Sequence, residues 1–408
     1  MSIVLAYSGG LDTSFCVPFL KEQFGERVIT VTVNTGGVAP DEAAAIHARS
    51  LELGADKHIL LDGRRRLFDD HLSYLIKGNV LRGGVYPLCV GPERVVQARM
   101  IVEEARRQGA RAVAHGSTGA GNDQVRFDVA LRILAGDLEV ITPIREHGLS
   151  RAYTTAFLKE RGFDVPASTT TYSINSGLWG TTIGGRETLD SRDPVPDEAY
   201  ETTRPADAPD DPLEIVLAWQ DGVPVSVNGT AMDPVSLVEH LNQVGGEHGI
   251  GRAIHVGDTI MGIKGRVAFE APAAAVLIAT HRELEKIVLS KWQQFQKNHI
   301  SDFYGMLLHE GQYFDPVMRD TEAFIDQSQT VVTGEVRFRL FKGGIQVLGC
   351  TSPHSMFDAN VATYGETNEL WDGRDARGFA RIAAVGALLA RTAGAGASEP
   401  GAAGQAPT

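Results

Sequence analysis

The chain opens on a short apolar run, Ile3–Ala6, and similar β-branched runs recur at Val28–Val33, His58–Leu61, Ala112–Ala114 and Leu138–Ile141. Runs this short and this continuously apolar predict strands covered on both faces. Between them the period changes. Asp41–Leu53 and Glu93–Gln108 carry apolar residues at helical intervals; in the second, Val95, Ala98, Val102 and Ala105 face one way, with Glu103, Arg106 and Arg107 between them. Gly109 follows as a helix stop. Strands alternating with helices predict an α/β architecture with a parallel sheet, whose ligands sit beyond the carboxyl ends of the strands.

The pattern loosens after about residue 165. Ser191–Pro212 is rich in Asp, Pro and Thr and reads as a connector. Beyond it, Leu213–Leu217 and Val223–Val227 predict a hairpin turning at Gln220-Asp221-Gly222, and Val336–Phe341 with Ile345–Leu348 a second, turning at Lys342-Gly343-Gly344. Helical spacing covers Ser236–Val244, a long stretch Glu283–Asn298, a segment near Pro316–Ile325 and a last one at Gly378–Arg391. The Ala/Gly/Pro tail from Thr392 has the composition of a disordered segment.

Composition narrows the function classes. With 408 residues and a formal net charge of −13, the chain suits two or three domains and not a general nucleic-acid-binding surface. It carries no apolar run long enough to cross a bilayer. The first residues enter a strand without a basic leader, and the three cysteines, Cys16, Cys89 and Cys350, form no C-x-x-C pair. A cytoplasmic protein with reduced thiols is expected, without a membrane or nucleic-acid partner.

Two segments carry chemistry. The first is Ala6-Tyr7-Ser8-Gly9-Gly10-Leu11-Asp12-Thr13-Ser14, a strand that breaks at adjacent glycines and restarts as a helix. Glycines let the backbone approach an anion, and a helix start presents free N–H groups to it. Hydroxyls at Ser8, Thr13 and Ser14 complete a phosphate cradle that lacks the lysine of a Walker loop. The second is His115-Gly116-Ser117-Thr118-Gly119-Ala120-Gly121-Asn122-Asp123-Gln124-Val125-Arg126-Phe127, which also follows a predicted strand. Read alone, its Gly-Asn-Asp could be a turn and Arg126 a surface charge paired with Asp128. Arg64-Arg65-Arg66 reads as a solvated run, Lys291–Phe295 and Trp371 as packing or oligomer contacts, and His248, His309 and His354 as structural.

The first segment resembles the pyrophosphate loop of the N-type ATP pyrophosphatases, and both segments together resemble the argininosuccinate synthases. The resemblance implies an adenine nucleotide α hydrolase-like domain over residues 1–165 and an α+β synthetase domain over 166–375. A C-terminal oligomerisation helix over 376–391 and a tail over 392–408 complete the expected organisation. It implies MgATP-dependent ligation of citrulline and aspartate through a citrullyl-adenylate, within a homotetramer. By matched position, Ala6 through Ser14, Val33, Ala114, His115 and Gly116 are expected to hold ATP. Thr118, Asn122 and Asp123 are expected to hold aspartate, and Tyr86, Asn122, Arg126, Ser173 and Thr182 citrulline. Asp12 and Asp123 are the residues expected to carry the chemistry, with Mg²⁺ accompanying ATP.

Four positions depart from the family pattern. Family hydroxyls fall on Val90 and Gly91, a glutamate falls on Gly257 with Asp258 beside it, and a tyrosine falls on Phe269. All four belong to the amino-acid end of the site. A citrulline with a capped α-amine, which needs no acidic partner, fits that pattern.

Overall fold

The computed structural model describes residues 1–118, 121–165, 172–358 and 370–394. These fall into two compact units, Met1–His354 and the segment from Ser355 onward.

The five apolar runs form one parallel sheet. Its strands are β1 (Ser2–Ala6), β2 (Arg27–Asn34), β3 (Lys57–Asp62), β4 (Ala112–Ala114) and β5 (Glu139–Ile141), in the order β3-β2-β1-β4-β5. Helices Leu11–Phe24, Pro40–Glu52, Gly91–Arg107 and Asn122–Leu134 follow β1, β2, β3 and β4 in the chain, and apolar layers pack on both faces of the sheet. The order reverses between β1 and β4. A doubly wound sheet opens a crevice at such a reversal, beyond the strand ends. Both chemistry-bearing segments begin there, one after β1 and one after β4.

The remainder of the first unit is built on two antiparallel sheets. β6 (Ser173–Gly177), β7 (Gly180–Gly184), β11 (Arg252–Asp258) and β12 (Lys264–Glu270) form a sheet in the order β11-β12-β7-β6. The second has the order β10-β9-β8-β13-β14 and contains both expected hairpins: β8 (Leu213–Gln220) with β9 (Val223–Val227), and β13 (Gly334–Phe341) with β14 (Gly344–Thr351), while β10 (Thr230–Ala231) closes its edge.

Two expectations change, both of them helices that divide. The long helix expected over Glu283–Asn298 is two helices, Pro272–Val288 and Lys291–His309. Ser290 separates them: its hydroxyl accepts the Gln293 N–H, and the Gln293 side chain accepts the Ser290 N–H, a capping box that restarts the helix. The expected Ser191–Pro212 connector joins β7 to β8 and is pinned to β12. The buried Glu270 carboxylate accepts N–H groups from Glu201, Thr202 and Thr203 at 3.0, 2.9 and 2.6 Å and the Thr203 hydroxyl at 2.7 Å. The last helix, expected over Gly378–Arg391, is two, Gly373–Ala383 and Val385–Thr392, joined at Ala384 and started by an Asp372 cap. Residues 395–408 of the expected tail lie outside the described residues, as do Gly119 and Ala120 of the second signature.

Arg64, Arg65 and Arg66 are each paired with carboxylates, on Asp62 and Glu239, Asp69 and Asp233, and Asp70 and Glu103 respectively. The triplet is therefore a surface ion-pair network rather than an anion site. No helix among the described residues is long and apolar enough to cross a membrane.

Candidate active site

At the end of β1 the chain turns through Gly9, at φ +78°, into the helix that starts at Leu11. A side chain at Gly9 would also meet Ile46, 3.0 Å away. Four hydroxyls tie the loop together. Ser8 Oγ lies 3.2 Å from Thr13 Oγ1, and Tyr7 Oη 3.4 Å from Ser14 Oγ. Thr13 and Ser14 also donate to the carbonyls of Gly10 and Gly9. The segment after β4 lies directly on this loop: a Cβ at Gly116 would stand 3.1 Å from the Asp12 carbonyl carbon and the Thr13 nitrogen. The glycine there permits contact between the two signatures, which the chain separates by about a hundred residues.

Two cavities open from this contact. One, of about 490 Å³, is lined by Ala6, Tyr7, Ser8, Gly10, Leu11, Asp12, Thr13, Val33, His115 and Gly116. Ala114 is buried at the end of β4, just before His115. Gly9 and Ser14 line a neighbouring opening that also carries Arg49, Arg151 and Lys159. The other main cavity, of about 600 Å³, is lined by Tyr86, Thr118, Asn122, Asp123, Arg126, Ser173 and Thr182. Asp12, Gly116, Ser117, Asp123 and Asn175 line both, so the two cavities are neighbours across a shared wall. Every expected aspartate and citrulline residue thus faces one space.

Electrostatics divide that wall. Burial raises the Asp12 carboxyl above its ordinary value, with Arg151 opposing. Burial also acts to raise the Asp123 carboxyl, but Arg94 and Arg126 outweigh it and hold it below the usual range. Arg94 Nη2 donates to Asp123 Oδ2 at 3.0 Å and Arg126 Nη1 to Oδ1 at 2.9 Å. Each oxygen keeps a lone pair for a further donor. Arg126 is in turn clamped from behind, its Nε donating to the His309 carbonyl at 2.8 Å and its Nη2 to His309 Nδ1 at 2.9 Å. Because a guanidinium only donates, His309 Nδ1 must accept, which leaves the proton on Nε2. Burial, with Arg126 and Arg82 adding to it, lowers His309 to about 3, so the ring stays neutral.

Arg126 therefore pairs with Asp123 and not with Asp128, which instead takes Arg132 and Arg145. Asn122 Oδ1 accepts the Ile260 N–H at 2.9 Å, tying the helix start to the loop between β11 and β12. Tyr86 is buried, stacked on His255 at 5.5 Å between centroids and packed against Phe269 at 5.2 Å.

Arg94, Glu93, His255 and His309 are wall residues that sequence reasoning missed or set aside. Glu93 is 2% exposed on the nucleotide side, and burial pushes its carboxyl up to about 8 against the pull of Arg94 and Thr35. Glu93-Arg94 in the first turn of the helix, directly after Val90-Gly91-Pro92, was the available signal.

A doubly wound sheet whose reversal carries a lysine-free phosphate loop, beside a polar cavity with paired charges, defines a nucleotide-binding enzyme of the ATP pyrophosphatase type. Residues 2–164 match the model of the arginosuccinate synthase N-terminal HUP domain, and residues 172–390 that of the arginosuccinate synthase C-terminal domain. The argininosuccinate synthase of Acaryochloris marina is 41% identical over 380 residues, 92% of this chain and 94% of that protein. That of Dehalococcoides mccartyi (strain ATCC BAA-2266 / KCTC 15142 / 195) is 40% identical over 390 residues, 95% of each chain. That of Pyrococcus furiosus is 37% identical over 391 residues, 96% of this chain and 94% of that one. The chain belongs to the argininosuccinate synthase family.

Proposed function

We infer that the residues gathered at the sheet reversal carry out the family's reaction, the ATP-dependent ligation of citrulline and aspartate. The ureido oxygen of citrulline attacks the α-phosphorus of ATP and pyrophosphate leaves. The α-amine of aspartate, having lost a proton, then attacks the activated carbon, and AMP leaves. Adenylation is needed because a urea carbon is a poor electrophile without a leaving group. The observation that carries this reading is the shared wall: Asp12 and Asp123 line both cavities, so an activated acceptor can form at one and be attacked from the other.

In this reading the loop from Ala6 to Ser14, with His115 and Gly116, cradles the phosphates, and Val33 flanks the base. Thr118, Asn122 and Asp123 hold aspartate, with Asp123 receiving its amine. Arg126, fixed by His309, pairs with the acceptor carboxylate, while Tyr86, Ser173 and Thr182 complete that subsite. The protein's task is alignment and charge neutralisation. Among the described residues no group of three or more His, Cys, Asp and Glu is assembled for a metal. Mg²⁺ suits such a site, since it keeps much of its water and binds through substrate phosphates and one or two carboxylates. Asp12 would be the protein carboxylate for it, and the ion would supply neutralisation of phosphate charge.

The C-terminal helices support a homotetramer. Phe379, Ile382, Val385, Leu388 and Leu389 are all exposed on them, as are Trp292 and Phe295 on Lys291–His309. Apolar side chains so exposed on a helix favour burial in an assembly. The divisions after residues 165, 375 and 391 and a cytoplasmic location belong to the same reading.

The test is pyrophosphate release from MgATP, with citrulline alone and with citrulline plus aspartate. Sustained release that needs both, with argininosuccinate formed, is expected. ATP binding without release under either condition refutes the reading.

A further inference from the structure

A buried polar cluster lies outside both cavities and takes no part in the reaction as described. Its centre is Glu285, on helix Pro272–Val288. Lys297 Nζ lies 2.9 Å from Glu285 Oε1, and Gln329 Nε2 donates to the same oxygen at 2.8 Å. Asn79 Nδ2 donates to Oε2 at 2.6 Å. The amide oxygens of Asn79 and Gln329 both face the His281 ring, 2.8 Å from Nδ1 and from Nε2. All five side chains are buried. An ion pair taken out of water adds little net stability, because desolvation offsets the attraction. What the pair holds in place is therefore the more telling question.

Its ties converge on one short segment. Lys297 Nζ also donates to the Lys77 carbonyl at 2.7 Å, and Asn79 follows two residues on, in the left-handed region at φ +51°. From Asn79 the chain runs into the Arg82–Tyr86 turn. There the Arg82 N–H donates to the Tyr86 carbonyl at 2.8 Å, and the Tyr86 N–H to the Arg82 carbonyl at 3.0 Å. Arg82 and Tyr86 line the larger cavity, and Tyr86 stacks on His255. Helix Lys291–His309 thus reaches the acceptor end twice: through Lys297 at the root of this turn, and through His309 behind Arg126.

We propose that Asn79 is a positioning residue for the acceptor. Held by Glu285 and His281, it fixes the left-handed step that delivers Tyr86 to the cavity, while Lys297 fixes the carbonyl before that step. The proposal rests on the ligase reading above. Asn79 is buried away from the cavity, so its effect on binding must pass through the turn it launches. The phosphate loop and the aspartate residues stand on other elements, so that effect is confined to the acceptor.

The experiment measures kcat and the KM values for citrulline, aspartate and ATP, by pyrophosphate release, in the parent and in Asn79→Gly. Glycine accepts the same backbone angle and removes only the amide. KM for citrulline should rise about tenfold, as for a misplaced binding group, while KM for ATP stays within about twofold. A double-variant comparison separates positioning from a general loss of structure. In a Tyr86→Ala background, Asn79→Gly should leave KM for citrulline as it is, because the group it positions has gone. An equal effect with and without Tyr86 overturns the proposal, as does an unchanged citrulline KM in the single variant; both leave the ligase reading standing. No release from parent protein that binds ATP overturns the ligase reading and the proposal with it. Should Asn79→Gly fail to fold, Lys297→Met carries the same comparison, with the same expected and contrary results. It removes the tie to the Lys77 carbonyl and keeps the Asn79 amide.

Discussion

The nucleotide end and the acceptor end of this site lie against one wall but are built in different ways. The nucleotide end comes from two strand-to-helix turns at the centre of one sheet, each a contiguous run of residues. The acceptor end is assembled from Tyr86, single residues on β6, β7, β11 and β12, a helix start and the last turn of Lys291–His309. In the proposed reading the first presents backbone N–H groups and hydroxyls to the ATP phosphates. The second gathers side chains from separate elements, some of them coupled, as Arg126 is to Asp123 and His309. The departures from the family pattern, at Val90, Gly91, Gly257 and Phe269, collect at the second end.

The comparison breaks most completely at Asp12. It lines both cavities, so Asp12→Ala should remove both chemical stages. A fall in pyrophosphate release of about a thousandfold, with or without aspartate, is expected. If single-turnover adenylation survives in that variant, the two ends are more independent than their shared wall implies.

A smaller, one-sided loss is expected across the wall. Asp123→Ala and Arg94→Ala should slow the aspartate step by about a hundredfold while citrullyl-adenylate formation falls much less. Rapid-quench measurement of AMP and pyrophosphate formation separates the two stages. Equal loss of both in Asp123→Ala would remove the division of roles. Arg94→Ala tests a residue that became visible only once helix Gly91–Arg107 was seen to bring it within 3.0 Å of Asp123.

How much of this was legible in the sequence follows the same division. The parallel sheet could be read from five apolar runs because strands covered on both faces are apolar throughout. The phosphate loop could be read because its function needs adjacent glycines and a helix start in one place. By contrast β6, β7, β11 and β12 escaped notice: Ser-Ile-Asn-Ser-Gly and Gly-Thr-Thr-Ile-Gly have little apolar patterning, since their polar side chains line a cavity. His309 was read as structural. Its role depends on a contact with Arg126 across 183 residues, which no local pattern carries. The single long helix was misread because helical spacing runs through Ser290 while the capping box that divides it occupies only four residues.

Buried titratable groups give a prediction about stability. Burial raises Glu93 to about 8 and Glu322 to about 7, so folding retains protons there that the unfolded chain has lost. Their contribution is full below the unfolded value and is lost as pH rises from about 4.5 to 8. His71 and His58, lowered to about 3 and about 4, act in the opposite sense and cost stability as pH falls below about 6.5. Stability should therefore be greatest in a narrow window on the acid side of neutrality. Glu93→Gln keeps the shape without the ionisation, so its denaturant midpoint should fall less steeply than the parent's between pH 6 and 8. Parallel midpoints for the two proteins over that range would contradict the assignment.

The smallest effect tests the acceptor end through its scaffold. Ser290 caps the helix that ends at His309, and His309 fixes Arg126 through both its carbonyl and its ring. Loss of one N-cap costs about 1 kcal/mol, so Ser290→Ala should lower the unfolding free energy by roughly that amount. The chemistry should barely change, because the helix is also held at its far end. Lys297 is buried, donating to the Lys77 carbonyl at 2.7 Å and pairing with Glu285 at 2.9 Å, and Tyr304 and Leu308 are fully buried. The cap and the clamp then separate cleanly. Ser290→Ala should shift stability with KM for the acceptor constant. His309→Ala should raise KM for the acceptor several-fold, because Arg126 loses its ring partner, while KM for ATP stays as it was. If Ser290→Ala raised the acceptor KM as much as His309→Ala does, the acceptor end would depend on the whole helix rather than on single side chains, and its difference from the nucleotide end would disappear.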